Sequence, residues 1–223
     1  MAGKRGFEHH CEEAKILKGA NKNSLNSSPF SYAQIDMIWD FYVTHTISGG
    51  SGLERTIEDY GWKKTENKTN GYPALENGLV ESAELQDNIC FIRSKTCKDT
   101  LKAMDLSNDL FCAHHPRAVM LQKYSTTVDE NEIISFAGGS SAENRIVCLF
   151  RHIRNSFAHG NTYFFDNGFV LLEDKDGSTV TAEILIKQKT LLDWIRVIDK
   201  DEKYYKIVDV CASCIAEEKQ CQD

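Results

Sequence analysis

Arg154, Asn155 and His159, close together in one segment, are of the types needed to cut a phosphodiester. Cleaving RNA without a metal requires a base for the 2'-hydroxyl proton, a cation against the charge gathering on phosphorus, and a proton donor for the leaving oxygen. Histidine titrates near neutrality and serves as either base or acid. Arginine stays charged and grips a phosphate through two parallel N–H donors. In this assignment Arg154 holds the scissile phosphate, His159 handles protons, and Asn155 orients the phosphate or the imidazole. Arg151 and Arg145 on the same segment would widen the RNA-binding patch.

A helix from Asn144 to His159 positions this set. Ile146, Leu149, Phe150, Ile153 and Phe157 recur at helical spacing and make one apolar stripe, while Arg151, Asn155 and His159 fall four residues apart on a polar stripe beside it. Ser141 with Asn144 marks a start, and Gly160-Asn161 a stop. The polar stripe is expected to face an open surface or a partner chain. The competing explanation is a solvated helix whose histidine caps its own last carbonyls, and spacing alone does not separate the two.

The run Phe150-Arg151-His152-Ile153-Arg154-Asn155-Ser156-Phe157-Ala158-His159-Gly160 resembles the signature of the HEPN superfamily: an arginine, a polar neighbour, and a histidine about four to six residues later. The resemblance implies a mainly α protein, a HEPN-like helical bundle that dimerises with the two motifs facing each other across a cleft. It also implies metal-independent endoribonuclease activity leaving 2',3'-cyclic phosphate ends, in a bacterial toxin or phage-defence setting. Members paired with nucleotidyltransferase antitoxins carry a tyrosine two residues after the histidine, where this chain has Asn161, with Tyr163 two residues further on. Silencing by adenylylation of a motif tyrosine is therefore not implied. Some members bind nucleotides or partners without catalysis.

The surrounding elements divide into a polar lead over residues 1–29, holding at most one helix at Glu8 to Lys18, and a single domain over residues 30–223. Ile35, Ile38, Trp39, Tyr42, Val43 and Thr46 predict a first helix from Ser31, stopped by Ser48-Gly49-Gly50-Ser51-Gly52. Leu53 to Tyr60 reads as a short helix, Gly61 to Gly78 as a loop, and Leu79 to Met104 as one or two helices; residues 105–140 carry no clear pattern. After the motif, Thr162 to Phe165, Phe169 to Glu173 and Val180 to Ile186 read as a small antiparallel meander, with turns at Asp166-Asn167-Gly168 and Asp174-Lys175-Asp176-Gly177. Helices at Leu191 to Ile198 and Tyr204 to Glu218 follow.

The chain of 223 residues carries 41% hydrophobic and 26% charged residues and three prolines, the profile of an ordinary globular domain. Its net charge of -7 excludes nucleic-acid binding by overall attraction, so any RNA contact must be local. A homodimer would gather two copies of Arg145, Arg151 and Arg154 into such a local cleft. No apolar run approaches the ~20 residues of a membrane helix and no secretory leader is visible, which predicts a cytoplasmic protein. The eight cysteines then read as reduced thiols. Cys211, Cys214 and Cys221 lack a second half-site, and Cys112, His114 and His115 would join them only by tertiary coincidence, so neither a metal nor a cofactor is expected. Two further readings stand beside the ribonuclease: a non-catalytic HEPN-like module binding a nucleotide or a protein, and a purely structural helical subunit.

Overall fold

The computed structural model describes residues 28–64, 71–83, 89–90, 110–113, 121–122, 145–166, 168–177, 179–207, 209 and 215. The first helix, α1 (Tyr32–Trp39), begins where a capping box can form: Ser31 Oγ accepts from the Gln34 amide at 3.3 Å, and Gln34 Oε1 accepts from the Ser31 amide at 3.1 Å. It widens into a π turn at Asp40–Thr44, and a 3-10 turn at Glu58–Tyr60 occupies part of the stretch read as a short helix.

The loop expected over Gly61 to Gly78 instead contains most of α2 (Pro73–Ser82). Proline in the first turn is a helix start rather than a breaker, because its fixed φ suits the helix and its missing N–H had no partner to lose. Leu75 and Leu79 are fully buried, and a Cβ on Gly78 would lie 3.0 Å from Val197 Cγ1, so this glycine permits close approach to α4 (Gln188–Ile198). Of the stretch expected to be helical from Leu79 to Met104, the described residues hold the end of α2 and the short strand β1 (Ile89–Cys90), which pairs with β3 (Leu121–Gln122); residues 84–88 and 91–104 lie outside them. From the stretch without a clear pattern comes β2 (Leu110–Ala113).

The meander is an antiparallel sheet of β4 (Thr162–Phe164), β5 (Phe169–Asp176) and β6 (Thr179–Lys187), and β2 adds a fourth strand in the order β2-β6-β5-β4. The second turn lies later than expected. β5 continues through Asp174, Lys175 and Asp176, and the chain reverses at Gly177, whose φ of 58° lies in the left-handed region that glycine enters freely. The ladder shifts register between Asp174, opposite Ala182, and Lys175, opposite Val180, leaving Thr181 as a bulge.

The motif helix, α3 (Arg145–Ala158), packs its apolar stripe into an aromatic cluster. Phe150 lies parallel to Tyr42 with centroids 5.6 Å apart and meets Phe41 edge-on at 5.9 Å and Trp194 at 5.8 Å. Polar ends of the buried rings find backbone partners: Tyr42 Oη donates to the Leu191 carbonyl at 2.9 Å and Trp194 Nε1 to the Leu79 carbonyl at 3.0 Å. The helix expected from Tyr204 does not start there. Asp199, buried, accepts from the amides of Lys203, Tyr204 and Tyr205 at 3.0, 2.8 and 2.7 Å, and this side-chain turn takes donors that a helix would use.

The described residues are thus partly helical, with a small antiparallel sheet, and among them no helix is long and apolar enough to cross a membrane. The lead helix at Glu8 to Lys18, the start at Ser141 and Asn144, and His114, His115, Cys211, Cys214 and Cys221 lie outside the described residues. Because Phe150 is where α1, α3 and α4 meet, Phe150→Ala is expected to destabilise the fold by ~3–5 kcal/mol in denaturant unfolding. Leu53→Ala, at a side chain 60% exposed, is expected to change stability by less than ~0.5 kcal/mol in the same measurement.

Candidate functional site

At its C-terminal end α3 stops in a Schellman arrangement. Gly160, at φ 70°, donates to the Phe157 carbonyl at 3.1 Å, and Asn161 donates to the Ser156 carbonyl at 2.8 Å. His159 is the residue between the last helical turn and that glycine. Its amide bonds the Asn155 carbonyl at 2.9 Å, and its side chain is exposed. The stop read at Gly160-Asn161 therefore holds.

The polar stripe does not face open solvent as a whole. Arg151 and Asn155 are partly buried and His152 fully, because this edge of α3 lies against β5. Along β5, Val170, Leu172 and Asp174 alternate onto one face, so Asp174 occupies a position whose two predecessors are core residues. Its carboxylate Oδ2 accepts from His152 Nδ1 at 2.7 Å and from Asn155 Nδ2 at 3.0 Å. Asn155 Oδ1 in turn accepts from Arg154 Nη1 at 3.0 Å. With Nδ1–H given to Asp174, His152 Nε2 presents its lone pair to Arg151 Nη2 at 3.3 Å, and Arg151 Nη2 also lies 3.7 Å from the sulfur of the buried Cys148.

Arg154 has a second partner across the fold. Its Nη2 donates to the Gly50 carbonyl at 3.2 Å, in the glycine loop that follows the π turn after α1. There Gly49, Gly50 and Gly52 have φ of 78°, 93° and 80°, and Glu54 Oε1 accepts from the Gly50 amide at 2.7 Å. Arg154 Nε is shielded from solvent and has no acceptor among the described residues. Five N–H donors on the guanidinium against two acceptors leave some of its hydrogen-bonding capacity unused.

Of the residues singled out by sequence, Arg154, Asn155 and Arg151 come together in one hydrogen-bonded seam. His159 lies one turn beyond Asn155, with no hydrogen bond from its ring to Arg154 or Asn155 among the described residues. Arg145 opens α3, ~13 Å along the axis from Arg154 and roughly half a turn around it. Asp174 and His152 were missed as a pair. Asp174-Lys175-Asp176-Gly177 has the composition of a turn, and only its parity with Val170 and Leu172 signals an inward carboxylate. Among the described residues no cluster of three or more His, Cys, Asp or Glu side chains is arranged to hold a metal ion.

Comparison with protein-family models, with curated proteins and with solved structures finds no match to this chain.

Burial pushes the Asp174 carboxyl up, but the hydrogen bonds from His152 and Asn155, with the nearby positive charge of Arg151, outweigh it and hold the group below the usual aspartate range. A depressed folded value means that these bonds contribute fully above the unfolded value of about 4 and lose their contribution as pH falls through the folded value. Stability measured by thermal unfolding is therefore expected to fall on acidification below pH ~4, and Asp174→Asn is expected to flatten that acid limb while lowering the plateau at neutral pH.

Proposed function

We propose that this chain is a metal-independent endoribonuclease of HEPN type, acting as a cytoplasmic homodimer in a toxin or phage-defence role, with Arg154 as the phosphate clamp, His159 as the proton-transfer group and Asn155 as the orienting amide. The observation that carries this reading is the state of Arg154. Its guanidinium is partly buried, oriented by Asn155 from a buried carboxylate, and still has donors to give, at the same helix end as an exposed imidazole. Holding an arginine this way lowers the ordering required when a phosphate arrives. A surface arginine kept only for solubility has no use for such support.

The charge pattern agrees with the same chemistry. Arg151, Arg154 and His159 lie along the C-terminal half of α3 and its end, while the acid that His152 and Asn155 bond, Asp174, is turned into the protein and shielded by those donors. Two such ends facing each other would form a basic cleft on a chain whose total charge is -7. A nucleobase-independent grip on the backbone is the expected mode, with the 2'-hydroxyl attacking the adjacent phosphorus, its proton passing to one imidazole and the leaving 5'-oxygen receiving a proton from another or from the same one later.

A second reading, a non-catalytic module that binds a nucleotide or a protein partner, is favoured by one specific feature: the His159 ring is not hydrogen-bonded to the Arg154–Asn155 pair within the subunit. An anion site needs the arginine and the amide alone.

Incubating the purified chain with total tRNA and a long single-stranded RNA in EDTA separates the two. The ribonuclease reading expects cleavage with cyclic phosphate ends, reduced ~100-fold or more in Arg154→Ala and in His159→Ala. RNA binding that is lost in Arg154→Ala but kept in His159→Ala, with no cleavage by the parent, would establish the binding module instead. In either case binding is expected to weaken steeply between 50 and 200 mM salt, as on the order of several phosphate contacts require.

A further inference from the structure

The seam between α3 and β5 has a polarity that follows from the hydrogen-bonding capacity of its members. A carboxylate only accepts and a guanidinium only donates, whereas an amide and a neutral imidazole do both. Asp174 occupies one end, Arg151 and Arg154 the other, and His152 and Asn155 lie between them, one on each branch.

The orientation of each middle group is therefore decided by the carboxylate. On the Asn155 branch, Nδ2 turned toward Asp174 leaves Oδ1 toward Arg154 Nη1. With no acceptor at position 174 the amide would be free to flip, and an NH2 would then face the guanidinium donors. On the His152 branch, Nδ1–H turned toward Asp174 leaves the Nε2 lone pair toward Arg151 Nη2. The other tautomer would oppose an N–H to the arginine.

We propose that Asp174 is the positioning residue of this site, setting the guanidinium of Arg154 through Asn155 and that of Arg151 through His152. The strand geometry fits this role. Asp174 sits beside the bulge of the β5–β6 ladder, where the pairing shifts from Ala182 to Val180, and its Oδ2 lies within reach of both donors, which project from adjacent turns of α3. One buried oxygen thus controls two cations that sequence reasoning assigned to RNA, and the consequence for RNA rests on the reading of Arg154 as a phosphate clamp.

The two claims separate in one set of measurements on the full chain. In nuclear magnetic resonance spectra of the 15N-arginine-labelled protein, a held guanidinium gives distinct Nη signals and a freely rotating one gives a single averaged signal. Wild type is expected to show distinct signals for both Arg151 and Arg154. Asp174→Leu, which keeps the number and branching of the side-chain heavy atoms and removes the acceptor, is expected to speed Nη exchange in both, with the Gly50 carbonyl still holding one arm of Arg154, whereas Leu172→Ala on the same face of β5 is expected to leave both distinct. The branch variants keep the proposal testable should Asp174→Leu not fold: Asn155→Leu is expected to speed Nη exchange in Arg154 alone, which keeps the Gly50 carbonyl, and His152→Phe to speed it in Arg151 alone. Exchange unchanged in these variants, or sped in both arginines by either branch variant, would overturn the relay.

RNA binding is read separately with a fluorescent single-stranded oligonucleotide across a salt series. Each arginine released is expected to lower the salt slope by about one. A wild type that holds both arginines yet binds no RNA removes the phosphate-clamp reading and leaves Asp174 as the positioning residue; faster Nη exchange with an unchanged RNA slope does the same.

Discussion

A carboxylate withdrawn from water must be met by donors, and in this fold that requirement falls on one edge of the motif helix. Asp174 is buried on the inward face of β5, and an unpaired charge there would cost several kcal/mol. His152 and Asn155 meet it, which fixes the rotation of α3 about its axis as firmly as the aromatic packing does on the other side. Helix rotation then determines the remainder. With His152 and Asn155 turned to the sheet, Phe150 turns to the π turn after α1 and to α4, and Arg154 is left partly buried with an arm on the Gly50 carbonyl. The Schellman turn at Gly160 follows immediately and leads the chain into β4, so the strand that supplies Asp174 is reached after one short hairpin.

This arrangement joins two kinds of stabilisation that behave differently. The cluster of Phe41, Tyr42, Phe150 and Trp194 is apolar, tolerant of small displacements and indifferent to pH. The polar seam is directional: each bond sets the next, and a single reversed donor would propagate to the arginines. Stability can therefore reside mainly in the first while geometry resides mainly in the second. Such a division allows a site to be held accurately without making the entire domain rigid.

Much of this was legible in the sequence where a periodic pattern was long enough to be unambiguous. The stripe from Ile146 to Phe157 marks α3 with its stop, the stripe from Ile35 marks the first helix, which ends before the glycines read as its stop, and the apolar runs after Thr162 mark three strands of the sheet. Errors arose where one residue type has two local meanings. Gly61 to Gly78 reads as a loop although Pro73 fits the first turn of a helix, and Asp174 with Lys175, Asp176 and Gly177 reads as a turn although β5 runs on through Asp176. At Tyr204 the apolar residues suggested a helix, and the competing signal was the side chain of Asp199, whose three backbone bonds depend on a conformation that no periodicity encodes. For the site, the arginines and Asn155 were visible as a motif, but their control was not, because Asp174 lies nineteen residues from Asn155 and belongs to another element.

The contact between Arg154 and the Gly50 carbonyl has a further consequence for any measurement of affinity. A backbone oxygen that holds one arm of the guanidinium is an internal competitor at fixed, high effective concentration. An anion that takes over that arm exchanges with a tethered acceptor, so the part of its affinity that this arm supplies is scaled by the fraction of molecules in which the loop has let go. Weak binding of a small anion would then report the equilibrium of the glycine loop rather than the strength of the arginine. A long polyanion, engaging neighbouring charges at the same time, gains additional contacts with which to offset that exchange, and selectivity for polymers over monomers becomes a property of a loop that need touch neither of them.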